Sequence, residues 1–462
     1  MYCMQSRWRL EGNRLVYYGL RNRDRMFRNE IRLNKNQREL LSQLPRELSK
    51  QELSCLKGIL GTAVVPAEQV RPVPASLEEA RFCRCCCAND YMIPGLEFDE
   101  TGLCPICQTE ADTRHLKSLV PLVREIPRST DSRFDVALFY TGGKDSTFLL
   151  YHLSQVLGLR VLALTWEIPF MSASARASME NARRKFPNVE FISRWVSENQ
   201  LRRVYRKLYA LSENTCACPS LAYVLFYPEL VANRVPYFVA GNEPAQILGL
   251  YYNHMAPQFA YTFPDNLPLN LLVNLGRILT LHPPLKPGQF HTLATMKKLA
   301  GQGGGLQDLA GYRNELVDHI VTAIHEVPEL VEPLRRAIRQ SSRSGHIPAF
   351  VHLDLDEICG GKYDWREVKS LLVRECGWVP PESMDKSLHT SCQIERCKEH
   401  SQFVRFYHCR SRMIPFSALE MAIASRGRNL SREDAIREIR DSLGFSLAEV
   451  PECALMRRFL ED

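Results

Sequence analysis

The sequence predicts an α/β fold in which a doubly wound parallel sheet is covered by helices on both faces. Short apolar runs alternate with helical patterns between residues 136 and 243. A glycine turn follows the first apolar run, and a polar turn follows the fourth. The chain has 462 residues, of which 45% are hydrophobic and 24% charged, so it can bury a large core in two or three domains.

The elements of this sheet follow one another along the chain. In order, they are predicted as strand 136–139, a helix from 147, strand 159–166, helix 173–185, strand 189–192 and a strand within 235–243. Parallel strands end at the same edge of a sheet. The turns at 141–146, 165–167 and 241–243 are therefore expected to share one rim.

The first of these turns has the composition of an anion-binding site. A strand, a glycine turn and a helix bring backbone N–H groups together at the positive end of the helix. Glycines let a phosphate approach the backbone, a lysine supplies a cation, hydroxyls add hydrogen bonds, and an aspartate can orient the turn or help to hold Mg²⁺. The candidate residues are Thr141, Gly142, Gly143, Lys144, Asp145 and Ser146. The adjacent glycines exclude a Walker A loop, and an ordinary turn does not need this series of side chains.

The turn resembles the PP-loop of the ATP pyrophosphatase superfamily, usually written S-G-G-x-D-S, with Thr141 in place of the first serine. The resemblance implies a nucleotide α-hydrolase-like sheet that binds ATP through its pyrophosphate part and leaves AMP on a substrate oxygen. In such a site Lys144, Asp145 and Ser146 serve the chemistry. Thr165 and Trp166 would receive adenosine, and the acceptor would contact Gly241, Asn242, Glu243 and Gln246.

Two Cys-x-x-Cys pairs precede the turn. Cys83 with Cys86 and Cys104 with Cys107 have the spacing that supplies four thiolates to a tetrahedral Zn²⁺. Cys85 or Cys87 could replace a neighbour, but the first two cysteines keep the same spacing as the second pair. A group of buried or free cysteines is the alternative interpretation.

The order of zinc knuckle, Phe-Asp-Glu-x-Gly-x-Cys-x-x-Cys and PP-loop resembles the N-acetyl sugar amidotransferases of bacterial surface-polysaccharide synthesis. The resemblance covers residues 83–246 and, more weakly, the helix at 365–378 and the helix start at 431–435. It implies that ammonia from a partner glutaminase displaces an ATP-activated oxygen on an amide of a nucleotide-linked sugar. The chain departs from that pattern in its N-terminal extension, in the tight Cys216-Ala217-Cys218-Pro219 segment, and in Cys392 and Cys397.

Those extra cysteines support a different hypothesis. Cys216, Cys218 and Cys392 could bind three irons of a [4Fe–4S] cluster and leave the fourth iron open to sulfide, as in some PP-loop thiolases. The reaction would then be thiolation of RNA or a small molecule, with a sulfur donor as partner. Buried structural cysteines are the alternative.

A third hypothesis is a non-catalytic ATP-binding adaptor that recruits a partner.

The chain divides into four predicted parts. They are a module at 1–80 with a winged-helix-like pattern, the knuckle at 81–125, the PP-loop ATP-binding domain at 126–300, and a mostly helical region at 301–462 that completes the substrate site. Asp354 and Asp356 alternate with apolar residues, as on the polar face of a strand.

The net charge of +7 is mild for this length. The basic stretch from Arg202 to Lys207 is compatible with an RNA contact or with a solvated helix face. No apolar run reaches the ~18 residues of a membrane span, and residues 1–9 are too polar for a secretion signal. A cytoplasmic location without a membrane partner is expected.

Overall fold

The computed structural model describes residues 1–20, 30–108, 126–242, 245–246, 249, 252–253, 267–286, 288–302, 315–381 and 391–461. Among these residues, no helix combines the length and the apolar character needed to cross a lipid bilayer.

The N-terminal residues form a small module with its own core. Its elements are β1 (Tyr2–Met4), β2 (Trp8–Glu11), β3 (Arg14–Tyr17), β4 (Glu30–Arg32), α1 (Lys35–Ser42), α2 (Lys50–Cys55) and β5 (Val64–Pro66). β2, β3 and β4 form an antiparallel sheet, and β1 pairs with β5. Asn34 and Ser49 cap the two helices, each by accepting a hydrogen bond from a first-turn N–H. Trp8, Leu15 and Leu56 are fully buried between these elements.

A five-stranded parallel sheet forms the centre of the fold. Its strands are β6 (Val136–Phe139), β7 (Val161–Glu167), β8 (Val189–Trp195), β9 (Tyr237–Asn242) and β10 (Ala349–Asp354). They lie in the order β10-β9-β6-β7-β8, and all neighbouring pairs are parallel. The α/β class predicted from the sequence is confirmed. β10 includes Asp354, where the alternating pattern predicted a strand, but the predicted series of sheet elements did not include it.

Helices surround this sheet. They are α3 (Pro105–Gln108), α4 (Lys144–Tyr151), α5 (Ala173–Lys185), α6 (Glu198–Ser212), α7 (Ser220–Ala232), α8 (Leu267–Leu279), α9 (Gln289–Leu299), α10 (Glu315–Ile324), α11 (Pro328–Ser344), α12 (Leu355–Ile358), α13 (Trp365–Cys376), α14 (Glu395–Tyr407), α15 (Phe416–Arg426), α16 (Arg432–Asp441) and α17 (Glu452–Glu461). A π-helical turn, His152–Val156, extends α4.

The connections change direction in the middle of the sheet. From β6 through β7 to β8 the chain moves toward one edge, whereas β9 and β10 lie on the other side of β6. Because crossovers between parallel strands are right-handed, the connecting helices of the two halves lie on opposite faces. Accordingly, α4 and α5 pack with α13, whereas α7 packs with α9, α10 and α11. Helices on both faces explain why β7 is buried along almost its whole length.

Candidate functional site

The predicted phosphate turn lies where β6 ends and α4 begins. β6 has β9 on one side and β7 on the other, so the turn follows the strand at which the connections change direction. In an open parallel sheet, this change leaves a crevice at the carboxyl ends of the strands, and ligands bind there. Residues 141–146 therefore occupy the position in the sheet where a ligand is expected.

The two glycines of the turn have different structural roles. Gly142 has a φ of +72°, and a Cβ added to it would lie 2.6 Å from the carbonyl oxygen of Ala175 in α5. Gly143 has an ordinary φ of −75° and is the N-cap of α4, without a side-chain cap. A Cβ on Gly143 would lie 3.3 Å from Thr141 Oγ1. Gly142 is thus required by the backbone path, whereas Gly143 leaves space in front of the helix N-terminus.

Two hydroxyl groups close the turn. Thr141 Oγ1 and Ser146 Oγ lie 3.1 Å apart, and the backbone N–H of Thr141 donates to Ser146 Oγ at 3.2 Å. The hydroxyls of Ser146 and Thr147 both donate to the carbonyl of Gly143, at 3.2 and 2.8 Å. These bonds hold the first turn of α4 against the end of β6.

The Lys144 side chain is held by residues from a distant part of the chain. Its Nζ lies 2.5 Å from Asp145 Oδ1 and 3.4 Å from the hydroxyl of Tyr363. The same hydroxyl donates to Asp145 Oδ1 at 2.7 Å. The ammonium also lies over the rings of Tyr363 and Trp365, at 4.4 and 4.7 Å from their centroids, and 11% of the side chain is exposed. A carboxylate and two aromatic rings thus position one positive charge beside the turn.

A cavity of about 430 Å³ opens over this turn. Its walls come from the turn, the start of α13, the segment after α13, Ser391 and the start of α16. The lining residues are Thr141, Gly143, Lys144, Asp145, Ser146, Trp365, Arg366, Lys369, Trp378, Pro380, Pro381, Ser391, Leu430, Asp434, Arg437 and Glu438. The pKa of Asp434 lies below its usual value because Ser431 donates a hydrogen bond to it and because Arg366 and Arg437 are close.

The segment after α13 is tied to the turn by hydrogen bonds. The indole Nε1–H of Trp378 donates to the carbonyl of Gly142 at 3.1 Å, and the backbone N–H of Val379 donates to Ser178 Oγ at 2.9 Å. Trp378 is almost fully buried. The C-terminal region therefore forms one wall of the cavity and also supports the backbone of its floor.

The residues predicted to receive adenosine do not line the cavity. Thr165 is 1% exposed, and its hydroxyl donates to the carbonyl of Tyr140 at 2.9 Å, so it supports the strand end before the turn. Trp166 is also buried, and its Nε1–H has no hydrogen-bond partner among the described residues.

Of the residues predicted to contact the acceptor, the structure describes Gly241, Asn242 and Gln246. Gly241 and Asn242 end β9, paired with Leu353 and Asp354 of β10. Glu243 lies outside the described residues. Gln246 is half-buried, and its Nε2 donates to Glu420 Oε1 in α15 at 3.0 Å, so this contact connects two parts of the protein.

The four predicted metal ligands come together. The sulfur atoms of Cys83, Cys86, Cys104 and Cys107 all lie within 4.8 Å of one another, and the first three residues are buried. Cys86 Sγ and Cys104 Sγ are 3.6 Å apart. Backbone N–H groups of Cys104 and Ala88 donate to the sulfurs of Cys83 and Cys86, at 3.3 and 3.4 Å. This buried four-cysteine cluster is suited to hold a metal ion.

The neighbouring cysteines lie outside this cluster. Cys87 is fully buried, and Ser425 in α15 accepts from its backbone N–H at 3.1 Å and donates to its sulfur at 3.4 Å. Cys85 is exposed. Arg432, at the start of α16, donates to the carbonyls of Cys83 and Cys86 at 2.9 and 3.2 Å. The knuckle is thereby attached to a helix that lines the cavity.

The three cysteines of the cluster hypothesis lie in one neighbourhood. The backbone N–H of Cys218 donates to Cys216 Sγ at 3.3 Å. Burial and the nearby Cys216 raise the pKa of Cys392. Cys392 follows Ser391, which lines the cavity. Within the described part of the chain, however, three or more ligand atoms within 4.8 Å of one another are found at the knuckle alone.

The basic stretch in α6 makes contacts within the chain. Arg202 and Arg206 donate to the carbonyls of Phe459 and Leu460, at 2.8 and 2.7 Å. The other two basic side chains form ion pairs, Arg203 with Glu329 at 3.1 Å and Lys207 with Glu326 at 3.0 Å. These contacts favour a structural role for the stretch.

Sequence reasoning did not assign a site role to several residues that support the turn. Tyr363 orients Asp145 and Lys144, and Trp378 holds the carbonyl of Gly142. Asp356 was expected on the polar face of a strand. It lies in α12 instead, where its Oδ1 accepts from the N–H of Tyr363 at 2.6 Å and from Asn429 Nδ2 at 2.8 Å. The weak resemblance at 365–378 and 431–435 was the available signal, since both segments line the cavity.

Neither a protein-family model nor a curated protein matches this chain.

Proposed function

We propose that this protein is a PP-loop ATP pyrophosphatase that adenylates an acceptor oxygen and then replaces it with ammonia. The observation that carries the proposal is the 141–146 turn at the carboxyl end of β6, which opens into a 430 Å³ cavity with Lys144 beside it. A nucleotide α-hydrolase-like sheet is part of this proposal. In the observed strand order, the connections change direction at β6, the strand that leads into the turn.

The turn fits a pyrophosphate group. Its backbone is free of Cβ atoms at Gly142 and Gly143, and the N-terminus of α4 presents its positive end. Thr141 and Ser146 supply hydroxyls to the same cavity. Lys144 compensates the negative charge that develops on departing pyrophosphate, and Asp145 with Tyr363 keeps the ammonium in place. Mg²⁺ would accompany the nucleotide, as in other phosphoryl transfers.

The two steps require little covalent work from side chains. In the first step, a carbonyl or amide oxygen of the acceptor forms a bond to the α-phosphorus, and the bond to pyrophosphate breaks. In the second, ammonia attacks the activated carbon, AMP leaves with the oxygen, and the ammonia nitrogen loses a proton to solvent. The apolar surfaces of Trp365, Trp378 and Pro380 shield this side of the cavity from water, which would hydrolyse the intermediate.

Zinc is the metal that the knuckle fits best. A tetrahedral Zn²⁺ with Zn–S bonds of ~2.3 Å places its sulfurs ~3.8 Å apart. The observed 3.6 Å between Cys86 and Cys104 agrees with that spacing. The thiolates of a [4Fe–4S] cluster bind four different irons and so lie farther apart. Zinc would hold the knuckle against α16 and thereby stabilise one wall of the cavity.

The test follows the fate of ATP. Protein is incubated with Mg²⁺, ammonium, fractionated metabolites as acceptor source, and ATP labelled at the α-phosphate. Label in AMP, together with release of pyrophosphate, is expected. Label in ADP would contradict the assignment, and ATP binding without turnover in all fractions would favour the adaptor hypothesis.

Thiolation remains a second candidate because of one observation. Cys392 adjoins Ser391 in the cavity wall and lies near Cys216, so a sulfur carrier placed there would reach the activated acceptor. An oxygen-sensitive brown protein after anaerobic purification would favour this candidate.

A further inference from the structure

The peptide bond between Gly142 and Gly143 lies in the middle of the phosphate turn. It is a trans peptide, so the carbonyl of Gly142 and the N–H of Gly143 point in opposite directions. Neither residue has a Cβ, and glycine tolerates the backbone angles that a reversal of this peptide would produce. The orientation of one peptide therefore decides whether an N–H or a carbonyl oxygen faces a ligand above the turn.

One buried hydrogen bond fixes this orientation. The indole Nε1–H of Trp378 donates to the carbonyl of Gly142 at 3.1 Å, and 3% of Trp378 is exposed. The N–H of Gly143, on the other side of the peptide, points toward Thr141 Oγ1 at 3.4 Å, and this contact is exposed. Thr141 and Gly143 both line the cavity. The carbonyl is thus turned into the protein, and the N–H is turned to the side that a ligand can reach.

The indole is held in place by bonds on both sides of it in the sequence. Asn181 Nδ2 donates to the carbonyl of Gly377 at 2.7 Å, and Ser178 Oγ accepts from the N–H of Val379 at 2.9 Å. Both partners belong to α5. Because its two neighbours are bonded to the same helix, Trp378 has a defined position beside the turn.

The contact between the Gly143 N–H and Thr141 is weak enough to be replaced. Its length of 3.4 Å exceeds the ~2.9 to 3.0 Å that is usual for an N–H···O bond. A phosphate oxygen is a stronger acceptor than a hydroxyl because it is charged. It can therefore take over this N–H, next to the positive end of α4. If the peptide were reversed, the carbonyl oxygen of Gly142 would face the anion and repel it.

We propose that Trp378 is a positioning residue of the phosphate turn. Its indole N–H fixes the peptide between Gly142 and Gly143, so that the Gly143 N–H donates to an oxygen in the pyrophosphate part of the nucleotide. This role depends on the proposed function, which supplies the phosphate ligand. The indole N–H does not contact the phosphate, because it is bonded to the carbonyl of Gly142. Trp378 acts on affinity through the orientation of one peptide bond, which is set before the ligand arrives.

The experiment measures binding of pyrophosphate and of a non-hydrolysable ATP analogue, each with Mg²⁺, by calorimetry. In one variant, Trp378 is replaced by β-(3-benzothienyl)alanine, which keeps the shape of the indole but has sulfur in place of the N–H. The second variant, Trp378→Phe, loses the N–H and part of the ring. Trp8→Phe, at a fully buried position in the N-terminal module, is the control for a smaller ring in a core. Thermal unfolding of all four proteins is recorded.

Wild type and Trp8→Phe are expected to bind both ligands alike. Both Trp378 variants should bind pyrophosphate and the ATP analogue at least about fivefold more weakly, the factor that corresponds to one lost hydrogen bond. The benzothienyl variant should unfold close to the wild-type temperature, because its shape is unchanged. Equal affinity of wild type and the benzothienyl variant would overturn the inference, since the shape of the ring and not its N–H would then matter. Failure of wild type to bind either ligand would overturn the proposed function, and the role of Trp378 with it.

Discussion

The hydroxyl of Tyr363 donates to Asp145 Oδ1 at 2.7 Å, across 218 positions of sequence. Asp145 belongs to the first turn of α4, and Tyr363 precedes α13 in the C-terminal region. Through this bond the phosphate turn, the cation of Lys144 and the C-terminal wall of the cavity form one hydrogen-bonded unit. Loss of the wall would therefore alter the turn as well as the space above it.

Replacement of Lys144 by methionine tests the role of its charge. Methionine keeps the packing against Tyr363 and Trp365 but removes the ammonium. AMP and pyrophosphate formation is expected to fall by about 100-fold or more, because the proposed mechanism uses this charge to stabilise departing pyrophosphate. The fold should persist, as measured by circular dichroism. Lys207→Met, which removes an exposed ion pair with Glu326, is the control and should keep full activity.

Substitution of Gly142 and substitution of Gly143 are expected to cause two different defects. Gly142→Ala places a methyl group at positive φ and against the carbonyl of Ala175. We therefore expect the unfolding free energy to fall by about 2 kcal/mol and the activity to fall as well. Gly143→Ala has an allowed φ and should mainly weaken ATP binding. Thermal unfolding and calorimetry with an ATP analogue separate the two effects. Equal stability of both variants would show that the backbone path does not require Gly142.

The sequence predicted the parts of the site that are local. The 141–146 turn and the two Cys-x-x-Cys pairs each place their groups through short spacings, so a pattern of neighbouring residues identifies them. The α/β class followed from alternating apolar runs for the same reason.

The walls of the cavity could not be predicted in this way. Tyr363 and Trp378 bond to the turn because α13 packs on α4 and α5, and Asn429, from the segment between α15 and α16, bonds to the carbonyl of Tyr363. No local pattern encodes these contacts. Thr165 follows the rule that strand ends face the ligand, but its hydroxyl bonds to the carbonyl of Tyr140 within the sheet. Tertiary packing therefore decides which rim residues reach the cavity.

Removal of a knuckle ligand should remove the metal. Cys104→Ser is expected to lose about one Zn²⁺ per chain and to unfold at a lower temperature, because binding of structural zinc contributes directly to folding. Cys85→Ser, the exposed neighbour, should retain the metal. Elemental analysis of the purified proteins measures the zinc and iron content of each variant. Iron without zinc in the wild type would refute the zinc assignment.

Asp135 predicts a pH dependence of stability. Its side chain is fully buried, directly before β6. Burial alone would raise the pKa of this carboxyl group. Hydrogen bonds from Arg160, Ser129 and Arg128 outweigh that effect and lower the pKa below its usual value. A carboxylate with a lowered folded pKa stabilises the protein above its unfolded pKa of ~3.9 and loses that contribution as pH falls through the folded value.

Asp135→Asn should therefore cost about 2 to 4 kcal/mol of unfolding free energy near neutral pH. The difference from wild type should shrink below about pH 4, because the carboxyl group of Asp135 takes up a proton in the unfolded chain there while it is still ionised in the folded protein. Urea unfolding at a series of pH values measures it. Asp131→Asn, an exposed position in the same loop, is the control and should show neither effect. A stability difference that grows as pH falls would contradict a stabilising role of the ionised Asp135 side chain.

One triple variant can show whether the nucleophile of the second step is ammonia or sulfide. In this variant Cys216, Cys218 and Cys392 are replaced by serine. If they are packing residues, the variant should lose some stability and still form the ammonia-dependent product at a measurable rate. If they bind a cluster, sulfur transfer and visible absorption should disappear together, while ATP binding survives because the 141–146 turn is unchanged. We expect the first result, because the compact thiolate group among the described residues is the knuckle. A colourless triple variant of a brown wild-type protein would reverse that expectation and make Cys392, beside the cavity wall, the residue that brings sulfur to the activated acceptor.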